Sequence, residues 1–192
     1  MAELEIEPAR TALVVIDLQR GIVGSPSAPR PGAEVVQRVF EIAAGLRKAG
    51  GTIVFVHVTP SADGRDGLHP IADAARPARG SMPPDWAELV PELGIQPGDM
   101  VITKRQWGAF YGTELDLQLR RRGVDTIILC GIATSIGVES TARDAYERGY
   151  NQIFVEDAMA DRDPDSHRHS TKTVFPRIGR VRSSAEVVAA IG

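Results

Sequence analysis

Two charged residues each come directly after an apolar stretch of the chain. Asp17 follows the run Thr11–Ile16, and Lys104 follows the shorter run at 100–103. A carboxylate and an ammonium group close together in a partly dry pocket stabilise each other's charged forms, and such a pair can hold or share a proton. The two residues therefore predict an acid/base site. The alternative is that Asp17 caps a turn and Lys104 lies on the surface.

A third element is the segment from Thr134 to Gly137, where an apolar run passes into a helical pattern. Backbone N–H groups at the start of a helix can point at a developing negative charge, and a glycine leaves the space beside them open. The alternative is a tight turn from strand to helix that only needs a small residue.

Alternating strand and helix patterns position these three elements. Apolar runs predict six strands, at 11–16, 52–58, 100–103, 124–130, 152–155 and about 180–182. Helical spacing predicts helices at 35–46, 113–123, 138–149 and 165–175, and a last helix that begins at Ser183 or Ser184. A capping box of Thr113 and Asp116 is expected to start the second helix. Strands that alternate with helices imply an open parallel sheet covered on both faces. Ligands bind such sheets at the C-terminal ends of the strands, where we expect Asp17, Lys104 and the turn after Cys130 to meet.

The composition is that of a soluble globular protein and not of a disordered or membrane protein. The chain of 192 residues is 43% hydrophobic and 24% charged with a net charge of -3, which fits one soluble domain spanning 1–192. Basic residues are scattered, so nucleic acid is not an expected partner. No apolar run is long enough for a membrane span, the N-terminus lacks a signal-peptide pattern, and the single Cys130 fits a reducing compartment, so we expect a cytoplasmic protein. The long stretch 59–98, rich in Pro and Gly, is expected to cover the site.

The sequence resembles the isochorismatase-like hydrolase superfamily over nearly its whole length. The resemblance is carried by TALVVIDLQ at 11–19, by Lys104 with Ala109-Phe110, by GIATSIGVESTARDA at 131–145, and by Glu156-Asp157-Ala158 and His167. It implies a three-layer α/β/α sandwich with a mostly parallel, Rossmann-like sheet, no cofactor, and a homo-oligomer. It also implies a non-proline cis peptide bond in the region of Ile132 and Ala133.

The superfamily's triad of Asp, Lys and Cys is carried here by Asp17, Lys104 and position 137, which is Gly137. A glycine cannot form the covalent intermediate of the amidase-type relatives. Isochorismatases proper resemble this chain in having glycine there, and their Asp protonates a vinyl ether. The resemblance therefore implies non-covalent, Asp-dependent hydrolysis. Residues expected to contact the substrate are Gln19, Trp107, Phe110, Ile132, Ala133 and Thr134.

The substrate itself stays open. Where isochorismatases proper usually carry Tyr-Ala-His, this chain has Ala133-Thr134-Ser135. Two other functions also remain possible: a serine hydrolase built on Ser135 with Asp157 and His167 in the order of an elbow motif, and a non-catalytic binding or assembly protein on the same scaffold.

No metal site is expected. In the nicotinamidase branch of the superfamily, an Asp-x-His pair helps to hold a metal ion. In this chain the residue two positions before His57 is Phe55 and not an aspartate. We expect His57 and His69 to be loop or supporting residues. His167 and His169 are expected on the surface of a helix.

Overall fold

The computed structural model describes residues 4–73 and 82–192. Within them, six strands form one parallel sheet in the order β3-β2-β1-β4-β5-β6. The strands predicted at 11–16, 52–58 and 180–182 are observed with those bounds. The six strands are β1 (Thr11–Ile16), β2 (Thr52–Val58), β3 (Met100–Lys104), β4 (Thr126–Ile132), β5 (Asn151–Ala160) and β6 (Arg180–Arg182).

Helices cover both faces of this sheet. The chain passes from β1 through α2 to β2 in one direction, and from β4 through α4 to β5 in the other. Because such crossovers are right-handed, α2 and α4 lie on opposite faces, α2 packing against α7 and α4 against α6. The predicted three-layer α/β/α fold is confirmed. The helices are α1 (Arg20–Val23), α2 (Gly32–Lys48), α3 (Leu115–Arg121), α4 (Glu139–Glu147), α5 (Pro164–His169), α6 (Phe175–Ile178) and α7 (Ser184–Ile191).

The strand order reverses between β1 and β4, so the crevice where parallel sheets bind ligands lies above these two strands. All six residues of β1 are buried. The backbones approach closely at the top of the pair: Gly131 has a φ of +118°, and a Cβ atom there would lie 2.1 Å from the carbonyl oxygen of Ile16. Only glycine fits this position.

Some elements differ from their predicted form. The strand predicted at 152–155 continues to Ala160, because β4 and β5 pair again beyond a bulge, with Met159 opposite Gly131. The predicted helix after β4 opens with a π-helical turn, Thr134–Val138. Its Tyr146, expected on the apolar side, is exposed.

The predicted capping box of Thr113 and Asp116 does not form as a reciprocal pair. The hydroxyl of Thr113 accepts the N–H of Leu115, but Asp116 accepts a hydrogen bond from the hydroxyl of Tyr150. The Asp116 side chain therefore links α3 to Tyr150, the residue before β5, and does not cap the first turn of α3.

The stretch 59–98 falls partly on residues 74–81, which lie outside the described part of the chain. The segment 86–90 runs beside the residues that follow Asp17: Arg20 N–H donates to Glu88 O, and Val90 N–H donates to Leu18 O. This segment supports the chain next to Asp17, and the predicted cover remains a prediction. Among the helices within residues 4–73 and 82–192, none is both long and apolar enough to cross a membrane.

Candidate active site

Asp17 leaves the sheet abruptly at the end of β1. Its φ of 55° is a left-handed conformation that residues other than glycine rarely adopt. The backbone beyond it is held by Gln19, whose side-chain amide donates to Val58 O and accepts the Val58 N–H, at 3.0 and 2.7 Å. Beyond Asp17 the backbone turns away from the sheet, and the Gln19 side-chain amide makes the hydrogen bonds to β2 in its place. The Asp17 side chain therefore lies at the C-terminal edge of the sheet.

Asp17 and Lys104 form a buried ion pair. Lys104 Nζ lies 2.8 Å from Asp17 Oδ2, and the two side chains are 1% and 8% exposed. The ammonium also donates to the carbonyl oxygen of Trp107. Asp17 Oδ1 is buried and makes no hydrogen bond with any residue that the structure describes. One carboxylate oxygen is thus held by Lys104, and the other is left for a proton or a ligand.

Burial raises the pKa of Asp17 to about 6, because a carboxylate is hard to accommodate away from water. The positive charge of Lys104 acts in the opposite direction, by attraction and by its hydrogen bond, and His57 lowers the pKa further. Desolvation outweighs these effects. A carboxyl group with such a pKa can hold a proton near neutral pH and release it, as a general acid must.

His57 is a supporting residue in this arrangement. Its Nδ1 lies 3.0 Å from Ala87 O and its Nε2 2.8 Å from Thr103 Oγ1. Because a carbonyl oxygen can only accept, Nδ1 carries the proton. His57 therefore joins β2 to β3 and to the segment beside Asp17.

Gly137 lies directly against the ion pair. A Cβ atom at this position would be 3.2 Å from both Asp17 Oδ2 and Lys104 Nζ, and 2.9 Å from Ile16 Cγ2. The structure thus brings together the three residues that the sequence placed at separate strand ends. The position that would carry a nucleophile has neither a side chain nor ordinary room for one.

The turn that carries Gly137 begins with a cis peptide bond between Ile132 and Ala133, where the resemblance implied one. Two buried side chains hold the next residues. Asp161 Oδ2 accepts the Ser135 N–H at 2.6 Å, and His167 Nδ1 lies 2.9 Å from Thr134 Oγ1. Sequence reasoning missed Asp161, although it follows an apolar strand end as Asp17 does.

The prediction that His167 lies on a helix surface is wrong. His167 is buried, because α5 packs its inner side against the turn and brings the ring to Thr134. Burial lowers the pKa of His167, and the positive charge of Arg30 lowers it further. His169, on the opposite side of this short helix, is exposed as expected.

The other expected substrate contacts differ in their surroundings. Gln19 is fully buried, with its amide paired to Val58, and Phe110 is buried beside Tyr150, with 5.7 Å between ring centroids. Trp107 is 63% exposed. It lines a surface cavity of about 460 Å³ between the loop after β3 and α4. Ile132 and Thr134 are buried and Ala133 is half-buried. Substrate contact by these residues stays a prediction.

The serine-hydrolase triad is not assembled. Asp157 accepts hydrogen bonds from Arg38 and from Ser184 at the start of α7, and His167 contacts Thr134 instead of Ser135. Within residues 4–73 and 82–192, no group of three or more His, Cys, Asp and Glu side chains is arranged to hold a metal ion.

The match to known proteins extends over this whole framework. The isochorismatase domain model matches residues 11–186, from the first residue of β1 into α7. The chain belongs to the isochorismatase family of hydrolases. It is 52% identical over 187 residues to the isochorismatase family protein YwoC of Bacillus subtilis, covering 97% of this chain and 96% of that protein.

Two further relatives extend the comparison. The solved structure of an isochorismatase family protein from Burkholderia thailandensis superposes with a TM-score of 0.93 at 44% identity and covers 99% of both chains. The ureidoacrylate amidohydrolase RutB of Methylobacterium radiotolerans is 32% identical over 216 residues, covering 98% of this chain and 82% of that protein. The family therefore includes a relative named for amide hydrolysis.

Proposed function

We propose that this protein hydrolyses a small vinyl ether without a covalent intermediate, with Asp17 as the acid. The observation that carries the proposal is Gly137, which has no nucleophile at a position where a Cβ atom would lie 3.2 Å from both charged atoms of the Asp17–Lys104 pair. Amide hydrolysis of the kind named for RutB proceeds in cysteine-bearing members of this family through a thiolate at that position. An enol ether needs a proton on carbon, and Asp17 is built to hold one.

In the first step, Asp17 gives its proton to the terminal carbon of the enol ether. Oδ2 of the Asp17 carboxyl group is held by Lys104 at 2.8 Å, and Oδ1 makes no hydrogen bond with a described residue. The π electrons of the C=C bond form the new C–H bond, and the ether oxygen stabilises the cation that remains. The raised pKa keeps a larger fraction of this carboxyl group protonated near neutral pH than in an exposed aspartate, so the acid is present in its active form.

In the second step, water attacks the oxocarbenium carbon and returns a proton to the Asp17 carboxylate. The resulting hemiketal breaks its C–O bond and releases a ketone and an alcohol, so no atom of the protein joins the substrate. Lys104 stabilises the carboxylate that forms after proton transfer, and its second bond to Trp107 O fixes the ammonium in place. The acid is thereby restored after each turnover.

The test uses enolpyruvyl ethers, with amides and esters of matched size as comparison substrates. We expect release of pyruvate from the ethers, measured with a lactate dehydrogenase couple. In D₂O the protonated carbon should carry one deuterium, detected by mass spectrometry after rapid quenching. Because the protonated form is active, kcat/KM should fall as pH rises through about 6, the pKa of Asp17.

Asp17→Asn is the inactive control, since an amide cannot donate an acidic proton, and Asp157→Asn is a matched substitution whose carboxylate caps α7. Turnover of amides or esters with no turnover of any enol ether would refute the proposal. So would an Asp17→Asn variant as active as the wild type. A folded wild type that turns over nothing, but binds the ethers, would favour a binding protein.

The same proposal takes the chain as one catalytic domain that works without a cofactor, in the cytoplasm and as a homo-oligomer. Sedimentation velocity on the purified protein would test the oligomeric state. A monomer at micromolar concentration would contradict that part of the proposal alone.

A further inference from the structure

Asp161 is a buried carboxylate that takes no part in the steps above. It is 3% exposed, at the end of β5. Each of its oxygens accepts one backbone N–H: Oδ2 that of Ser135 at 2.6 Å, and Oδ1 that of Arg162 at 2.7 Å. A charged acceptor makes a shorter and stronger hydrogen bond than a neutral one. Asp161 therefore fixes the residue two positions before Gly137.

Asp161 is itself rigidly held. Its backbone N–H and carbonyl both pair with Ala28, each at 2.7 Å, in an isolated antiparallel bridge. The carboxylate therefore holds the turn at a fixed position relative to β5. Behind the turn, the Thr141 hydroxyl donates to Gly137 O at 2.7 Å and accepts the Ala109 N–H. The turn is fastened at Ser135 and at Gly137.

The held backbone lies against the ion pair. A methyl group at Gly137 would come within 3.2 Å of both charged atoms, so the Gly137 backbone occupies space that water would otherwise enter. Since desolvation is the main cause of the raised Asp17 pKa, the placement of this backbone and the acidity of Asp17 are linked.

We propose that Asp161 is a positioning residue, which holds Gly137 against Asp17 and Lys104 through the N–H of Ser135 and keeps water out of the site. This inference rests on the proposed function where it concerns catalysis. The placement of the turn is independent of the substrate.

Loss of Asp161 should lower both the rate and the Asp17 pKa. The turn loses an acceptor, water reaches the carboxyl group, and the pKa of Asp17 falls from about 6 toward its ordinary value. The titratable groups that act on Asp17 in the described residues, Lys104 from β3 and His57 from β2, stay in place. Displacement of a site by about 1 Å can cost on the order of 100-fold in rate, so a kcat decrease of about 10- to 100-fold is expected, with a smaller change in KM.

Three variants separate positioning from other roles. Asp161→Ala removes both acceptors, whereas Asp161→Asn removes the charge and keeps one acceptor for Ser135. Asp157→Ala is the matched control, because Asp157 lies on the same strand and accepts a backbone N–H at 2.6 Å, but at the start of α7. We would measure kcat and KM on enolpyruvyl ethers and the Asp17 pKa by ¹³C NMR titration of its carboxyl carbon.

We expect Asp161→Ala to lower kcat and the Asp17 pKa, Asp161→Asn to recover much of both, and Asp157→Ala to lose stability alone. Unchanged kcat and Asp17 pKa in Asp161→Ala would overturn the proposal. Equal pKa shifts in the Ala and Asn variants would also overturn it, since they would show an effect of charge alone. If Asp161→Ala does not fold, the same measurements on Asp161→Asn decide, with an intermediate loss expected and wild-type values contradicting the role.

The proposed function can fail separately. If the wild type turns over no enol ether, the NMR titration still tests the placement of the turn. A lower Asp17 pKa in Asp161→Ala would then support positioning while the vinyl-ether chemistry is discarded.

Discussion

Replacement of Gly137 by alanine tests the central feature of the site with one methyl group. The added Cβ would lie 2.9 Å from Ile16 Cγ2 and 3.2 Å from Asp17 Oδ2 and Lys104 Nζ. The first distance is well inside carbon–carbon contact, which is about 3.5 to 4.0 Å at its optimum. Ile16, Asp17 and Lys104 are all buried, so the turn or the ion pair must move.

The effect on stability is the sum of two opposing contributions. Overpacking in an enclosed region costs about 1 to 3 kcal/mol. Alanine in place of glycine in a helical turn returns up to about 1 kcal/mol. We therefore expect Gly137→Ala to lose about 0 to 3 kcal/mol in free energy of unfolding, measured with urea. Gly45→Ala is the matched control, because a Cβ in that helix meets nothing within 4 Å, and it should gain up to about 1 kcal/mol.

Activity should fall even where the variant stays folded. A methyl group beside the two charged atoms displaces Asp17 or the substrate carbon, and a shift of about 1 Å can cost on the order of 100-fold. The kcat/KM of Gly137→Ala should fall by that factor while the variant stays folded. Wild-type kcat/KM in a well-folded Gly137→Ala would refute the view that position 137 belongs to the reacting centre.

Two further predictions concern the thiol and the buried acid. Iodoacetamide should leave the wild type active, because Cys130 is fully buried and burial raises the pKa of its thiol. The variant Gly137→Cys should be labelled at position 137. Inactivation of the wild type, traced by mass spectrometry to Cys130, would contradict this prediction. The raised pKa of Asp17 stabilises the fold below about pH 4 and loses that contribution as pH rises through about 6, a change on the order of 3 kcal/mol. The measurement is the free energy of unfolding of wild type and Asp17→Asn in urea from pH 3.5 to 7. As pH rises, the wild type should lose up to that amount of stability relative to the variant. A pH-independent difference between the two would contradict the assigned pKa.

The strands follow from local pattern where one type of side chain dominates, whereas their order in the sheet does not. The continuous apolar run of β1 specifies a strand buried on both faces, and the carboxylate after it marks the site. The second half of β5 could not be predicted, because Glu156 and Asp157 interrupt the pattern and the strand resumes only by pairing with β4. Here tertiary hydrogen bonding overrides local preference.

The residues of the site also divide into those that the local sequence indicates and those that it does not. Asp17 and Lys104 stand out because each is a charged residue directly after an apolar run. Local sequence indicates a surface position for His167, because its neighbours Arg168 and His169 are polar and its partner Thr134 lies 33 residues away along the chain. Asp161 carries the same signal as Asp17, an apolar strand followed by a carboxylate, but nothing local shows that its partner is a backbone N–H 26 residues away.

The left-handed backbone at Asp17 bears on how this protein responds to selection for stability. A residue other than glycine in that conformation costs of order 1 kcal/mol or more, and the buried carboxyl group adds to the cost. A library screened only for heat resistance should therefore enrich glycine or uncharged residues at position 17. Such variants would be more robust and inactive. Directed evolution of this enzyme toward higher temperature needs an activity screen at every round, because the substitutions that most readily stabilise the fold are those that remove its acid.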